Sequence, residues 1–130
     1  MLAYNHRLQN GDIMTNKRLD NAVEVLKDKI ANDYVGWTNN LEMNKHINDD
    51  SKRAEFKGRL SVSKGRKYWK VIADRSCWGF IVATDGDKLF KKGDILFSAG
   101  WSKPARNAPR RNILDGNFTG VRWTGPAYLR

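Results

Sequence analysis

Apolar residues in the first third of the chain recur every three or four positions. Leu19, Ala22, Val23, Leu26 and Ile30 share one face of a helix, with Asp20, Glu24, Asp28, Lys17, Lys27 and Lys29 mostly on the others. Thr15 supplies a capping hydroxyl, so the spacing predicts a helix over about 15–34. Val35-Gly36-Trp37 interrupts the periodicity, and Thr38 and Asn39 then open a shorter expected helix over about 39–47, carrying Leu41 and Ile47. Residues 1–13 are polar and aperiodic and read as a tail or loop. The cap cluster Asn48-Asp49-Asp50-Ser51 precedes Ala54, Phe56 and Leu60, a segment fit for one or two helical turns or the start of a strand.

The second half follows a period of two. Arg66 to Ala73 alternates aromatic and β-branched residues with lysines, as a half-buried strand does. Trp78 to Thr84 and Ile95 to Ser98 read as further strands, separated by turns at Asp85-Gly86-Asp87 and Lys91-Lys92-Gly93-Asp94. Pro104 and Pro109 mark residues 100–109 as loop, and 117–124 reads as a last strand. The expected fold class is α+β: N-terminal helices, then an antiparallel sheet, in one domain of 130 residues. Residues 15–60 are expected to be mainly helical, and 66–128 to form the sheet with a basic loop at 101–112.

Charge changes this picture. Lys and Arg number 24 against 14 Asp and Glu, a net +10, and the excess is uneven. Residues 1–51 sum to −2, 52–76 to +7, 77–99 to zero and 100–130 to +5. Two basic blocks flanking a neutral one suggest a positive face that attracts polyanions. One block contains Arg59, Lys64, Arg66, Lys67 and Lys70; its competing reading is a charged edge that discourages strand-to-strand aggregation. The other lies in the loop from Ser98 to Leu114, which holds Lys103, Arg106, Arg110 and Arg111, no acid, the amides Asn107 and Asn112, and Trp101. Arginine forks suit phosphate oxygens, asparagines read base or ribose edges, and an indole face stacks on a nucleobase. For Trp101 taken alone, the preferred reading is an anchor that holds this loop in the core.

Signatures of catalysis do not stand out. His6, His46 and Cys77 lack metal-ligand spacing, and a lone cysteine excludes an internal disulfide. There is no Walker-type or dinucleotide-binding glycine loop, and Asp85, Asp87 and Asp94 sit at turns, where carboxylates ordinarily bond their own backbone. The expectation is a non-enzymatic binder without cofactor or metal. No apolar run is long enough to span a bilayer, and no signal peptide is seen at the N-terminus, so a cytoplasmic protein is expected. Fourteen aromatics and an amphipathic helix in so short a chain also predict a homo-oligomer.

Over about residues 67–128 the chain resembles a family of small tailed-phage proteins. The resemblance rests on Tyr68, Phe80-Ile81-Val82, Gly93-Asp94-Ile95-Leu96, the run from Ala99 through Trp101-Ser102-Lys103-Pro104 to Asn107, and Arg111-Asn112-Ile113-Leu114-Asp115-Gly116. Some members are similar to the Thoeris anti-defence sponges. That likeness implies sequestration, without cleavage, of a cyclic ADP-ribose signal or a cyclic oligonucleotide at subunit interfaces. By motif it implies Phe80 as the aromatic, with Asn107, Arg110 and Arg111 beside it. With Trp101, Lys103, Arg106 and Asn112 these make the expected ligand-binding set. Two other readings stand beside the sponge: a basic nucleic-acid-binding accessory protein, and an inhibitor docking on an acidic host protein.

Overall fold

A computed structural model describes residues 10–41 and 49–126. Helix α1 spans Asn10–Leu41, α2 spans Asp49–Gly58, and four strands follow: β1 (Leu60–Lys64), β2 (Tyr68–Ala73), β3 (Ser76–Val82) and β4 (Ile95–Leu96). The strands form an antiparallel sheet in the order β1-β2-β3-β4, so the α+β expectation holds.

The helical face read from the sequence is the buried one. Leu19, Val23, Leu26, Ile30 and Ala31 join Phe56, Leu60, Trp69, Val71, Ile81 and Ile95 in one core. Phe80, Val82, Phe90 and Leu96 form a second, smaller core, which Tyr68 and Cys77 flank. The pleat explains the division, because successive side chains of a strand point to opposite faces. Trp69 and Val71 face the helices, whereas Tyr68 and Lys70 belong to the other side.

The expected break at Val35-Gly36-Trp37 does not occur, and α1 continues through it. A mid-helix glycine costs about 1 kcal/mol relative to alanine, and aromatic packing around it offsets that. Tyr34 stacks on Phe56 at 4.1 Å, and Trp37 and Tyr34 lie 5.0 and 5.3 Å from the ring of Trp123. Thr38 is no cap either, since its hydroxyl donates to the Val35 carbonyl one turn back (3.0 Å). Residues 39–41 therefore extend the first helix, and 42–48, the rest of the expected second one, lie outside the described residues. The helix also begins earlier than expected: residues 10–13 of the expected tail are helical, and 1–9 fall outside the description.

Beyond α2 the chain forms a strand that the expected sheet omitted. Leu60-Ser61-Val62-Ser63-Lys64 pairs with β2 from Leu60↔Ala73 to Lys64↔Trp69. At the other end the expected strand over 117–124 is absent. The segment is a run of turns with one isolated bridge, Arg122↔Gly125. Gly116 and Gly120 adopt φ of 72° and 79°, which an extended strand does not allow. Its apolar residues still reach the main core: Phe118, Val121 and Trp123 pack there, and the Trp78 indole N–H donates to the Arg122 carbonyl (2.8 Å). The expected strand at 95–98 shortens to Ile95–Leu96, with Ser98 bridging Pro104 instead.

Candidate functional site

The sheet register builds the site. Lys70 lies opposite Ser63 on one side and Phe80 on the other, and Phe80 lies opposite Leu96. This row crosses the sheet face that the helices leave uncovered. Before it, the β1–β2 connection turns so tightly that Gly65 N–H donates to the Tyr68 carbonyl at 2.9 Å. A Cβ on Gly65 would stand 2.7 Å from that oxygen, so only glycine fits. Arg66 and Lys67 consequently project from a fixed turn at the end of the row. Together these elements enclose an open cleft of about 300 Å³, with Arg66, Lys67 and Lys70 as cations, Tyr68 and Phe80 as rings, and Ser63 and Ser102 as hydroxyls. No carboxylate lines it.

Ser102 arrives from the loop that the sequence singled out. Residues 98–104 form a small hairpin: Ser98 bridges Pro104, Ala99 N–H donates to the Lys103 carbonyl (2.8 Å), and the Ser98 hydroxyl donates to the Gly100 carbonyl (2.7 Å). At its turn Trp101 is 52% exposed, with the Lys70 ammonium 4.1 Å from its ring centroid. The anchoring reading for Trp101 therefore does not hold. Lys103 is exposed beside it.

Arg106 is held by an acid. Its guanidinium makes a bidentate pair with Asp87 (2.9 and 3.1 Å), also donates to the Tyr68 hydroxyl, and lies 4.8 Å from the Phe90 ring centroid. Asp87 further accepts Leu89 N–H and Phe90 N–H (2.8 and 3.0 Å), and the Lys67 ammonium stands 3.6 Å away. Its carboxylate is shut off from solvent. The Arg106 bond, then these backbone donors, hold its pKa well below the usual carboxylate range, and Asp87 in turn raises that of Arg106.

The remaining expected ligand contacts serve the fold. The Phe80 ring is 3% exposed, packed in the second core and edge-on to Tyr68 at 6.1 Å, so it floors the cleft without offering a stacking face. Asn112 uses its whole amide: its N–H₂ donates to the Lys92 carbonyl and Asp94 (3.0 and 2.8 Å), and its oxygen accepts from Leu114 and Asp115. The Arg111 guanidinium donates to the Arg110 carbonyl. Asn107 accepts from Ala108 N–H and from Arg110 (2.8 and 3.2 Å). Arg110 is 8% exposed, with its guanidinium carbon 5.2 Å from the Phe97 ring centroid and no carboxylate on it among the described residues. Burial lowers its pKa. Of the expected set only Phe80 lines the cleft itself; Trp101 meets its wall through Lys70 and Arg106 through Tyr68, whereas Asn107, Arg110, Arg111 and Asn112 lie in the connection that follows β4.

A larger hollow of about 620 Å³ lies beside α1, where Trp37 and Trp123 meet Asp33 and Arg122. Its charges are mixed, and Asp33 already accepts Trp123 N–H at 2.8 Å. Among the described residues no cluster of His, Cys, Asp and Glu suits a metal ion, and no helix is long and apolar enough to cross a membrane. His6 and His46 lie outside the described residues. Compared with family models, curated proteins and solved structures, the chain matches none.

Proposed function

We propose that this protein binds a phosphate-bearing nucleotide in the cleft between the Arg66–Lys70 segment and the Trp101 hairpin, and releases it chemically unchanged. The observation that carries the reading is a cleft on one sheet face lined by three cations of the first basic block, with Ser102 of the second block's loop on its wall and no carboxylate in its lining. Guanidinium and ammonium groups there offer charge-assisted hydrogen bonds to phosphate oxygens. The lining offers hydroxyls and cations but no imidazole or carboxylate to act as a general base. In the setting that the phage resemblance implies, such capture is sequestration of a cyclic nucleotide immune signal. Exposed Val25 and Trp37, at 42% and 44%, suit the homo-oligomer that belongs to the same reading.

The cleft is open to solvent, which favours a single-stranded nucleic acid as the second reading. Titration of a cyclic dinucleotide and a labelled single strand at two salt concentrations separates the two. The sponge requires saturable binding of the cyclic ligand, lost when Arg66, Lys67 and Lys70 are all changed to alanine, and recovery of intact ligand after heat denaturation. A strand held by three cations gives a slope near −2 in log K against log salt. Unchanged binding by the triple variant removes the cleft from either function.

A further inference from the structure

Trp101 is a large apolar ring held in water by an ordered hairpin. Backbone bonds close that hairpin at Ala99–Lys103 (2.8 Å) and at Ala105–Phe97 (2.7 Å), so the exposure is a built position. Burying an aromatic is ordinarily favourable, yet Trp101 keeps 52% of its surface exposed and supplies no core contact. One partner stands over the indole, the Lys70 ammonium at 4.1 Å, and no other ring or cation among the described residues stacks on it. Lys70 is also a wall of the cleft. The same side chain therefore borders both the cation-lined space and the indole.

From this juxtaposition we infer that Trp101 is the stacking platform for a nucleobase whose phosphate lies among Arg66, Lys67 and Lys70. The inference rests on the cleft reading above and adds the recognition of a base to that of an anion. An ammonium against part of the ring fixes the indole by cation–π attraction, leaving its remaining surface to a planar π-system. Every base has such a face, so the platform tolerates any base identity while adding nothing to the binding of anions that have no ring. Ser102, next in the chain and on the cleft wall, carries the backbone from the stacking position to the phosphate position.

The test compares Trp101→Ala, Trp101→Phe and the Arg66/Lys67/Lys70 triple alanine variant with the unaltered protein. Two probes are titrated: a cyclic adenine dinucleotide, and inorganic tripolyphosphate, which carries charge without a base. Trp101→Ala should weaken the dinucleotide by about ten- to a hundredfold and leave tripolyphosphate unchanged, with Trp101→Phe recovering most of the loss. Equal weakening of both probes assigns Trp101 to holding Lys70 and overturns the platform; so does no weakening of either. If the triple variant loses tripolyphosphate while Trp101→Ala binds both probes normally, the platform fails and the cleft reading survives. If the unaltered protein binds neither probe, both readings fall together.

Discussion

The two faces of the sheet receive basic residues from the same short stretch and treat them in opposite ways. On the helix side Lys64 reaches Asp20 of α1 at 2.6 Å and stands over Trp69. Arg59 is paired with Asp74 at 2.7 Å, and Lys57 with Asp28 at 2.8 Å. On the uncovered side Lys70 meets an indole instead of a carboxylate, and Lys67 shares Asp87 with Arg106. Lys64 and Lys70 are six positions apart, but the β1–β2 hairpin turns between them and the pleat sends them to opposite faces. Charge counted along the chain merges two populations that the fold sorts: cations paired with carboxylates on the helix side, and cations on the uncovered side, where Lys70 has an indole for its partner. The lesson is that a basic block is read strand position by strand position, because neighbours in sequence are not neighbours in function.

Phe56→Ala should have the largest effect, because it removes a 2% exposed ring that joins α2 to Tyr34 and Trp123. A loss of about 3–5 kcal/mol is expected for such a truncation, read as a lower midpoint in urea, with ligand affinity of the folded fraction unchanged. Lys70→Ala should do the reverse: the melting temperature holds, and affinity for a cyclic nucleotide falls roughly tenfold, the scale of one charge-assisted hydrogen bond. A fall in stability without a fall in affinity would erase the distinction between the faces.

Asp87→Asn should act between these extremes and through pH. The folded-state pKa of Asp87 is depressed, so its contribution to stability is present above the unfolded value of roughly 3.9 and is lost as pH falls through the folded value. Thermal melts of the unaltered protein should therefore decline on acidification below about pH 4, and the asparagine variant should be less stable at neutral pH and decline less over that range. Identical acid profiles would show that Arg106 does not depend on this carboxylate. The smallest effect is expected for Lys64→Ala. Both partners of its pair are about half exposed, so its loss should cost only about 0.2–1 kcal/mol. Nucleotide affinity should not change. A tenfold loss there would place Lys64 on the binding face and break the comparison.

Much of the scaffold was legible because its signals are periodic. The 19–30 stripe of α1 and the alternation of β2 follow from burial on one side, and both appear in the structure. β1 was legible too, since Leu60-Ser61-Val62-Ser63 alternates apolar and polar, and the start of a strand was one of the two readings left open for the segment that ends at Leu60. Gly36 misled for a different reason: local propensity marked a break, while tertiary packing of Tyr34 and Trp37 carried the helix through. The candidate site was half visible. Its basic residues stand out by composition, but which of them share a surface depends on register, a long-range property. Asn112 and Arg106 looked like ligand contacts because amides and guanidiniums serve phosphates and carbonyls alike; their partners Asp94 and Asp87 come from turns 18 and 19 residues away in sequence.

Asp87 also bears on which acids this surface can distinguish. Lys67 already has a carboxylate within 3.6 Å, so an incoming aspartate, glutamate or small organic acid would exchange one singly charged oxyanion for another and gain almost nothing. A terminal phosphate, with more charge and a third acceptor oxygen, would gain by the exchange, whereas a singly charged phosphodiester would gain there no more than a carboxylate does. On the proposed function, an internal competitor of this kind would weigh at Lys67 against carboxylates and in favour of terminal phosphates.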